Sequence, residues 1–319
     1  MGKFLVMLFC FLCIKQESKL KTSLNNVTYT ETLIAGSFIW QGHERSYWLH
    51  LPPDKLRNKP LPVLFNLHGG GGTGKGAARL TGNRFNQLAD RDGFIVVYPD
   101  GLKRRWNDGR KVGANNVNEA IDDVGFILEI IKKLSKSYPV DSNRIFTSGM
   151  SNGGFMSSRL LCEHPDTFRG GAIVTATIPV GYIQHCKPQT PVAVIVINGT
   201  DDPIVPYEGG DIRLFKFGKK RGEIVSTDDY LKFLQNKNGC SEKVKTVELP
   251  DKQKEDGTTV SLTTYTSCSG DGALKLFKIK GGGHTWPGGR QYLPKKRIGN
   301  TSYEINACDE IWSFFRTLN

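Results

Sequence analysis

Residues 149–153, Gly149-Met150-Ser151-Asn152-Gly153, match G-x-S-x-G. In that spacing a sharp strand-to-helix turn lifts a serine Oγ clear of a sheet, and the flanking glycines avoid collision. With 36 glycines in 319 residues, the pattern alone is weak. Its context is stronger, because a strand-like run at 144–148 leads into it and a helical pattern at 152–163 follows directly. A helix N-terminus beneath the serine would favour negative charge developing there. The competing reading is an ordinary strand-turn-helix junction.

A serine nucleophile needs a base, a group that orients the base, and donors for the oxyanion. The chain has six histidines. His43, His50, His164 and His185 stand in settings where surface or satisfied positions are the default, and His68 belongs to a glycine loop, which reads as structural. His284, inside the glycine-rich run 281–289, directly follows the last strand-like run and can project back toward Ser151. Between serine and histidine, Asn198-Gly199-Thr200-Asp201-Asp202-Pro203 supplies two carboxylates at a strand end. Asp201 could instead cap the turn, so local reasoning leaves both open. His68-Gly69-Gly70-Gly71-Gly72 ends an earlier strand-like run, where an N–H of Gly69, Gly70 or Gly71, with that of Asn152, would hold an oxyanion. Residues 69–75 also fit the start of a phosphate-binding loop, G-x-x-x-x-G-K. That motif requires Ser or Thr next, and the chain has Gly76.

These loops need elements to position them. Apolar runs at 61–68, 94–98, 144–148 and 192–198 read as parallel strands buried on both faces, with further strands at 45–51 and 274–280. Residues 122–138 place Val124, Ile127, Leu128, Ile131 and Leu134 on one helical face. Helices at 227–237 and 307–318 open with the capping residues Ser226 and Asn306. Strands alternating with helices predict a three-layer α/β architecture with a mainly parallel central sheet. Ligands of such sheets bind beyond the carboxyl ends of the strands, where all these motifs fall. The length suits one large core, taken as a single domain over 30–319.

Met1 to about Lys21 holds a short apolar run, 4–14, that suits a secretory leader better than a membrane span, with an uncleaved anchor as the alternative. Cys10 and Cys13 lie inside that run and read as part of it. Five further cysteines suit two disulfides and one free thiol in an oxidising compartment. Pairing is not fixed by sequence. Adjacent pairing, Cys162 with Cys186 and Cys240 with Cys268, would close loops of about 20–30 residues, each bridge stabilising by about 3 kcal/mol. Cys308 would then be unpaired and buried in the last helix. The net charge is +12, partly from basic runs at 103–105, 219–221 and 295–297. No nucleic-acid-binding motif accompanies them, so solvated loops are expected and no nucleic-acid partner.

The motifs at 149–154, 67–72, 199–207 and 281–289, with Tyr98-Pro99-Asp100-Gly101, Trp106-Asn107 and residues 122–126, resemble the poly(3-hydroxybutyrate) depolymerase-like esterases, a group similar to feruloyl and acetylxylan esterases. The resemblance spans roughly 34–318 and implies the α/β-hydrolase fold. It also implies Asp202, just before Pro203, as the acid, and cysteines paired at 162/186 and 240/268. Cys308 departs from the pattern, where Thr is more usual.

The expected activity is secreted carboxylic-ester hydrolysis through an acyl-enzyme, with Ser151, His284 and Asp202 as triad and neither metal nor cofactor. Expected substrates are hydroxyalkanoate oligomers or polymers, or feruloyl and acetyl esters of plant polysaccharides. The expected assembly is a monomer without stable membrane association unless the N-terminal segment is retained. Trp106 and Trp286 could wall the site, or simply pack its loops. If the basic residues at 103–105, Arg290 and 295–297 rim the pocket, anionic substrates are favoured. The alternatives are an inactive carbohydrate-binding or adhesion protein on the same fold, and a serine peptidase or lipase.

Overall fold

Residues 33–110, 120–214 and 218–318 are described in the computed structural model of the chain. The leader expected at 1–21, with Cys10 and Cys13, lies outside the described residues. In chain order the strands are β1 (Ile34–Trp40), β2 (His43–His50), β3 (Leu61–Leu67), β4 (Ile95–Pro99), β5 (Val140–Met150) and β6 (Gly170–Val174). They continue with β7 (Ala193–Gly199), β8 (Gly210–Asp211), β9 (Glu223–Ile224), β10 (Val244–Glu248), β11 (Thr259–Tyr265) and β12 (Ala273–Lys280). The helices are α1 (Gly74–Leu80), α2 (Arg84–Asp92), α3 (Asp123–Ser137), α4 (Asn152–Glu163), α5 (Val180–Ile183), α6 (Thr227–Lys237), α7 (Lys295–Ile298) and α8 (Ala307–Arg316).

Ten strands form one sheet in the order β1-β2-β4-β3-β5-β6-β7-β12-β11-β10. The stretch from β4 to β12 is parallel throughout. Antiparallel β1 and β2 finish one edge, and β11 and β10 the other. The parallel core comes from nearly continuous apolar runs: β3, β4, β6 and β7 are buried at every position. Such strands are stable only with both faces covered. The edge strand β10 is exposed throughout and carries Lys245, which discourages edge-to-edge pairing.

The helices at 227–237 and 307–318 appear with their predicted caps, and the one predicted at 122–138 has Asp122 itself as its cap. Asp122 accepts from the Gly125 N–H at the start of α3, Ser226 from Asp229 N–H at α6, and Asn306 from Cys308 N–H at α8. On α8, Trp312 and Phe315 stack on Phe94 and Phe146, at ring-centroid distances of 3.7 and 4.5 Å. Cys162 pairs with Cys186 and Cys240 with Cys268, while Cys308 is free and buried.

Strand order explains where a site can form. From β3 the chain goes outward to β4, then crosses back to place β5 on the other side of β3. The sheet therefore reverses its winding between β3 and β5, the position at which α/β sheets open a crevice. The loop after β3 begins at His68, and the turn after β5 is Ser151.

Candidate active site

Ser151 has φ 55° and ψ −120°, a conformation that costs on the order of 1–3 kcal/mol in a non-glycine residue. Its surroundings impose it. A Cβ on Gly149 would lie 2.3 Å from the Gly153 backbone, and one on Gly153 would lie 2.2 Å from the Leu67 carbonyl oxygen. Only glycines let β5 turn into α4 this tightly against the end of β3. The Ser151 N–H is held by the Val174 carbonyl at 2.9 Å, which ties the turn to β6.

His284 lies in the loop after β12. Its Nδ1 is 2.7 Å from Asp202 Oδ2, and both side chains are buried. Asp202 follows β7, and its other oxygen accepts from the N–H groups of Ile204 and Val205, each at 2.8 Å. With Nδ1–H committed to the carboxylate, neutral His284 presents Nε2 as its free acceptor. Asp201 is exposed and takes the Thr200 hydroxyl at 2.7 Å instead. The geometry separates two carboxylates that local sequence left equivalent. The Tyr292 hydroxyl donates to the His284 carbonyl at 3.0 Å and tethers the histidine loop.

Ser151 and His284 line one cavity of about 590 Å³. Gly69 and Gly70 border it, and Cβ atoms placed on them would fall 3.7 Å from the Cβ atoms of Ser151 and Asn152 respectively. Asn152 is the first residue of α4, so its N–H has no acceptor within the helix. Gly71 must be withdrawn from the expected donors, because its N–H already donates to the Arg104 carbonyl at 2.8 Å.

The Asn152 side chain is fixed rather than free. Its Oδ1 accepts from the Trp106 N–H at 2.9 Å, and its Nδ2 donates to the Trp106 carbonyl at 3.1 Å and to Asp108 Oδ2 at 2.5 Å. Asp108 is paired with Arg110 at 2.6 Å. Sequence reasoning missed Asp108, whose one signal was its place directly after Trp106-Asn107.

Two expectations need correction. Trp106 does not wall the cavity: it is absent from the residues that line it, and its indole donates to the His68 carbonyl at 2.8 Å. Its ring packs on the His68 ring, with centroids 4.9 Å apart, so it supports the glycine loop from behind. The runs at 103–105 and 295–297 do not line this cavity either; its cations are Arg79 and Arg290. Trp286 does line it, beside Leu80, Met150, Tyr292 and Leu293.

His68 is structural, as expected. Its Nε2 accepts from the Gly101 N–H at 2.9 Å, so Nδ1 carries the proton and donates to the Gly69 carbonyl at 2.8 Å. Burial holds its pKa below the ordinary value of 6.5 and keeps the ring neutral. Lys75 of the phosphate-loop near-match lies over the Trp48 ring, 3.7 Å from its centroid. Among the described residues no group of His, Cys, Asp and Glu is arranged to hold a metal.

A model of the family described as "Esterase PHB depolymerase" matches residues 45–186, which include Ser151 and end before Asp202. The protein designated esterase NocK of Nocardia uniformis subsp. tsuyamanensis is 28% identical over 291 residues, covering 89% of this chain and 82% of NocK. Feruloyl esterase B of Piromyces equi is 27% identical over 75% of this chain, which spans 42% of that longer protein. Among solved structures, an acetyl xylan esterase from Aspergillus awamori superposes with a TM-score of 0.58 at 15% identity, over 90% of this chain and 99% of that one, and shows the shared fold. A serine turn at the winding reversal, with these matches, makes the chain similar to the poly(3-hydroxybutyrate) depolymerase-like and feruloyl esterases, on an α/β-hydrolase fold.

Proposed function

We propose that the chain is a secreted serine esterase that removes acyl groups, feruloyl or acetyl, from esterified polysaccharides, with Ser151 as nucleophile, His284 as base and Asp202 as its partner. The observation that carries this reading is the 2.7 Å contact of His284 Nδ1 with Asp202, behind a histidine that shares its cavity with the strained Ser151. Ser151 Oγ attacks the ester carbonyl as His284 Nε2 takes the serine proton. The oxyanion is held by the N–H of Asn152 and of Gly69 or Gly70. The tetrahedral adduct collapses, the alcohol leaves with the proton from His284, and the acyl group remains on Ser151. Water, deprotonated by His284, then releases the acid and restores the serine.

The cavity favours an apolar or aromatic acyl group, since Leu80, Met150, Trp286 and Leu293 supply its surface. The names of feruloyl esterase B and of the acetyl xylan esterase suggest the polysaccharide ester. Two disulfides support an oxidising compartment, hence export.

Turnover of p-nitrophenyl acetate, methyl ferulate, acetylated xylan and a hydroxybutyrate oligomer by wild type and by Ser151→Ala tests the reading. Serine-dependent hydrolysis of methyl ferulate or acetylated xylan is expected. Turnover of the oligomer alone would overturn the substrate, and full turnover by Ser151→Ala would overturn the mechanism.

A further inference from the structure

The catalytic cavity has an unbalanced wall. Arg79 and Arg290 line it, and no Asp or Glu does. Both arginines are exposed, and neither has an ion pair or side-chain hydrogen bond among the described residues. Elsewhere partly or fully exposed arginines find carboxylates: Arg84 holds Asp309, Arg91 holds Asp92, and Arg144 holds Asp141. Two unpaired guanidiniums at one mouth repel each other and are stabilised by an anion that meets both.

The charge continues outside the cavity. Gly72 and Arg79 also border a second groove, of about 400 Å³, lined by Lys75, Lys103 and Arg104. Arg45 lines it too but is neutralised by Asp123 at 2.6 Å. Of the two acids there, Asp100 is occupied by the Ser46 hydroxyl, the Trp48 indole and the Gly74 N–H, at 2.9, 3.0 and 2.7 Å. Even with both acids counted, Lys75, Arg79, Lys103 and Arg104 outnumber them. Lys103 and Arg104 are held with φ of 51° and 61°, a conformation that costs free energy and persists only where surrounding contacts enforce it. Here the contacts are Gly71 N–H to the Arg104 carbonyl, at 2.8 Å, and Arg104 Nε to the Gly72 carbonyl, at 3.3 Å. The basic loop is thereby fastened to the glycine loop that borders Ser151.

We propose that the alcohol side of the substrate is a polyanionic polysaccharide, one bearing carboxylates. Its acyl group enters the apolar cavity, its nearest carboxylates meet Arg79 and Arg290, and its chain runs along the groove of Lys75, Lys103 and Arg104. This rests on the reading of Ser151 and His284 as the reacting centre.

The experiment compares kcat/KM on O-acetylated polygalacturonate with that on acetylated xylan, and p-nitrophenyl hemiglutarate with p-nitrophenyl butyrate. The polymer ratio is expected to exceed about 10 in 0.01 M salt. It should fall toward 1 in 1 M salt, as the screening length drops from about 30 Å to about 3 Å. The hemiglutarate ratio should stay near 1. Arg79→Gln/Arg290→Gln should cut the polymer ratio at least fivefold, with a melting temperature like that of wild type. Lys245→Gln, which removes a charge on the remote strand β10, should leave it unchanged. A low-salt polymer ratio near 1, with serine-dependent hydrolysis of p-nitrophenyl acetate intact, would overturn this inference alone. A preference confined to the hemiglutarate would overturn the placement of the charge on the alcohol side. Loss of serine dependence would instead overturn the underlying reading.

Discussion

Replacing Asp202 by Asn tests the catalytic reading through one atom. The carboxylate accepts on both sides: Oδ2 from His284 Nδ1, and Oδ1 from the N–H groups of Ile204 and Val205. An asparagine amide has a single acceptor oxygen. If it keeps the two backbone donors, its NH₂ faces His284 Nδ1, which must then be the unprotonated nitrogen. The proton moves to Nε2, and the imidazole can no longer accept from Ser151. If the amide flips to keep Nδ1–H as donor, its NH₂ faces two buried N–H groups and leaves them unsatisfied. Each orphaned donor costs about 1–3 kcal/mol, so the productive tautomer lies about 2–6 kcal/mol above the unproductive one. At about 1.4 kcal/mol per tenfold, kcat/KM for p-nitrophenyl acetate should fall about 30- to 20,000-fold. The unproductive form loses no hydrogen bond, so the melting temperature should change little. Asp201→Asn, at an exposed site, should stay within about threefold of wild type. Stopped-flow acylation with matched melting curves makes the measurement. An Asp202→Asn enzyme within threefold of wild type, or an Asp201→Asn enzyme that is the damaged one, would refute the reasoning.

Three further substitutions probe the supports. Gly153→Ala drives a Cβ to 2.2 Å from the Leu67 carbonyl, a backbone atom that cannot rotate away. Destabilisation of about 3 kcal/mol or more is expected by denaturant titration, and a variant with an unshifted midpoint would contradict the close approach. Asp108→Asn removes the charge that holds the Asn152 amide and half of the pair with Arg110. It should lower kcat for p-nitrophenyl acetate about tenfold or more while KM changes less; equal effects on both would assign Asp108 to folding alone. His68 has a folded pKa below 6.5, so the unfolded chain binds its proton first as pH falls. Stability from this group is present above about pH 6.5 and is lost progressively below it, down to the depressed folded value. The unfolding free energy of His68→Gln should therefore fall less steeply with acidification over that window, and parallel slopes for the two proteins would count against the neutral ring.

The parts of the fold that were legible in sequence are those whose burial writes an unbroken pattern. β3, β4 and β7 are almost wholly apolar because both faces are covered, and α6 and α8 carry their caps at the residues expected. β6 escaped notice although it lies at the centre of the sheet, because it opens with Gly170 and Gly171. A Cβ at 171 would stand 2.5 Å from Leu161 Cδ1, so close packing of α4 selects residues that also weaken strand propensity. β10 is exposed at all five positions and held by pairing with β11, a tertiary cause with no apolar pattern. The strained residue and its glycines were readable for a related reason: a turn that admits no Cβ can be written only with Gly149 and Gly153. The Asp201/Asp202 choice was not readable from local pattern, since both follow the same strand and only the chain's return through β12 decides which one meets a histidine. The same holds for the cations. Charge runs at 103–105 and 295–297 stood out, yet the two arginines in the cavity wall are isolated residues, Arg79 on α1 and Arg290 beyond the histidine loop. Runs mark solvated loops as readily as sites, whereas convergence of single charges from distant segments is a property of the folded chain. That is why the substrate's charge is better argued from Arg79 and Arg290 than from the total of +12.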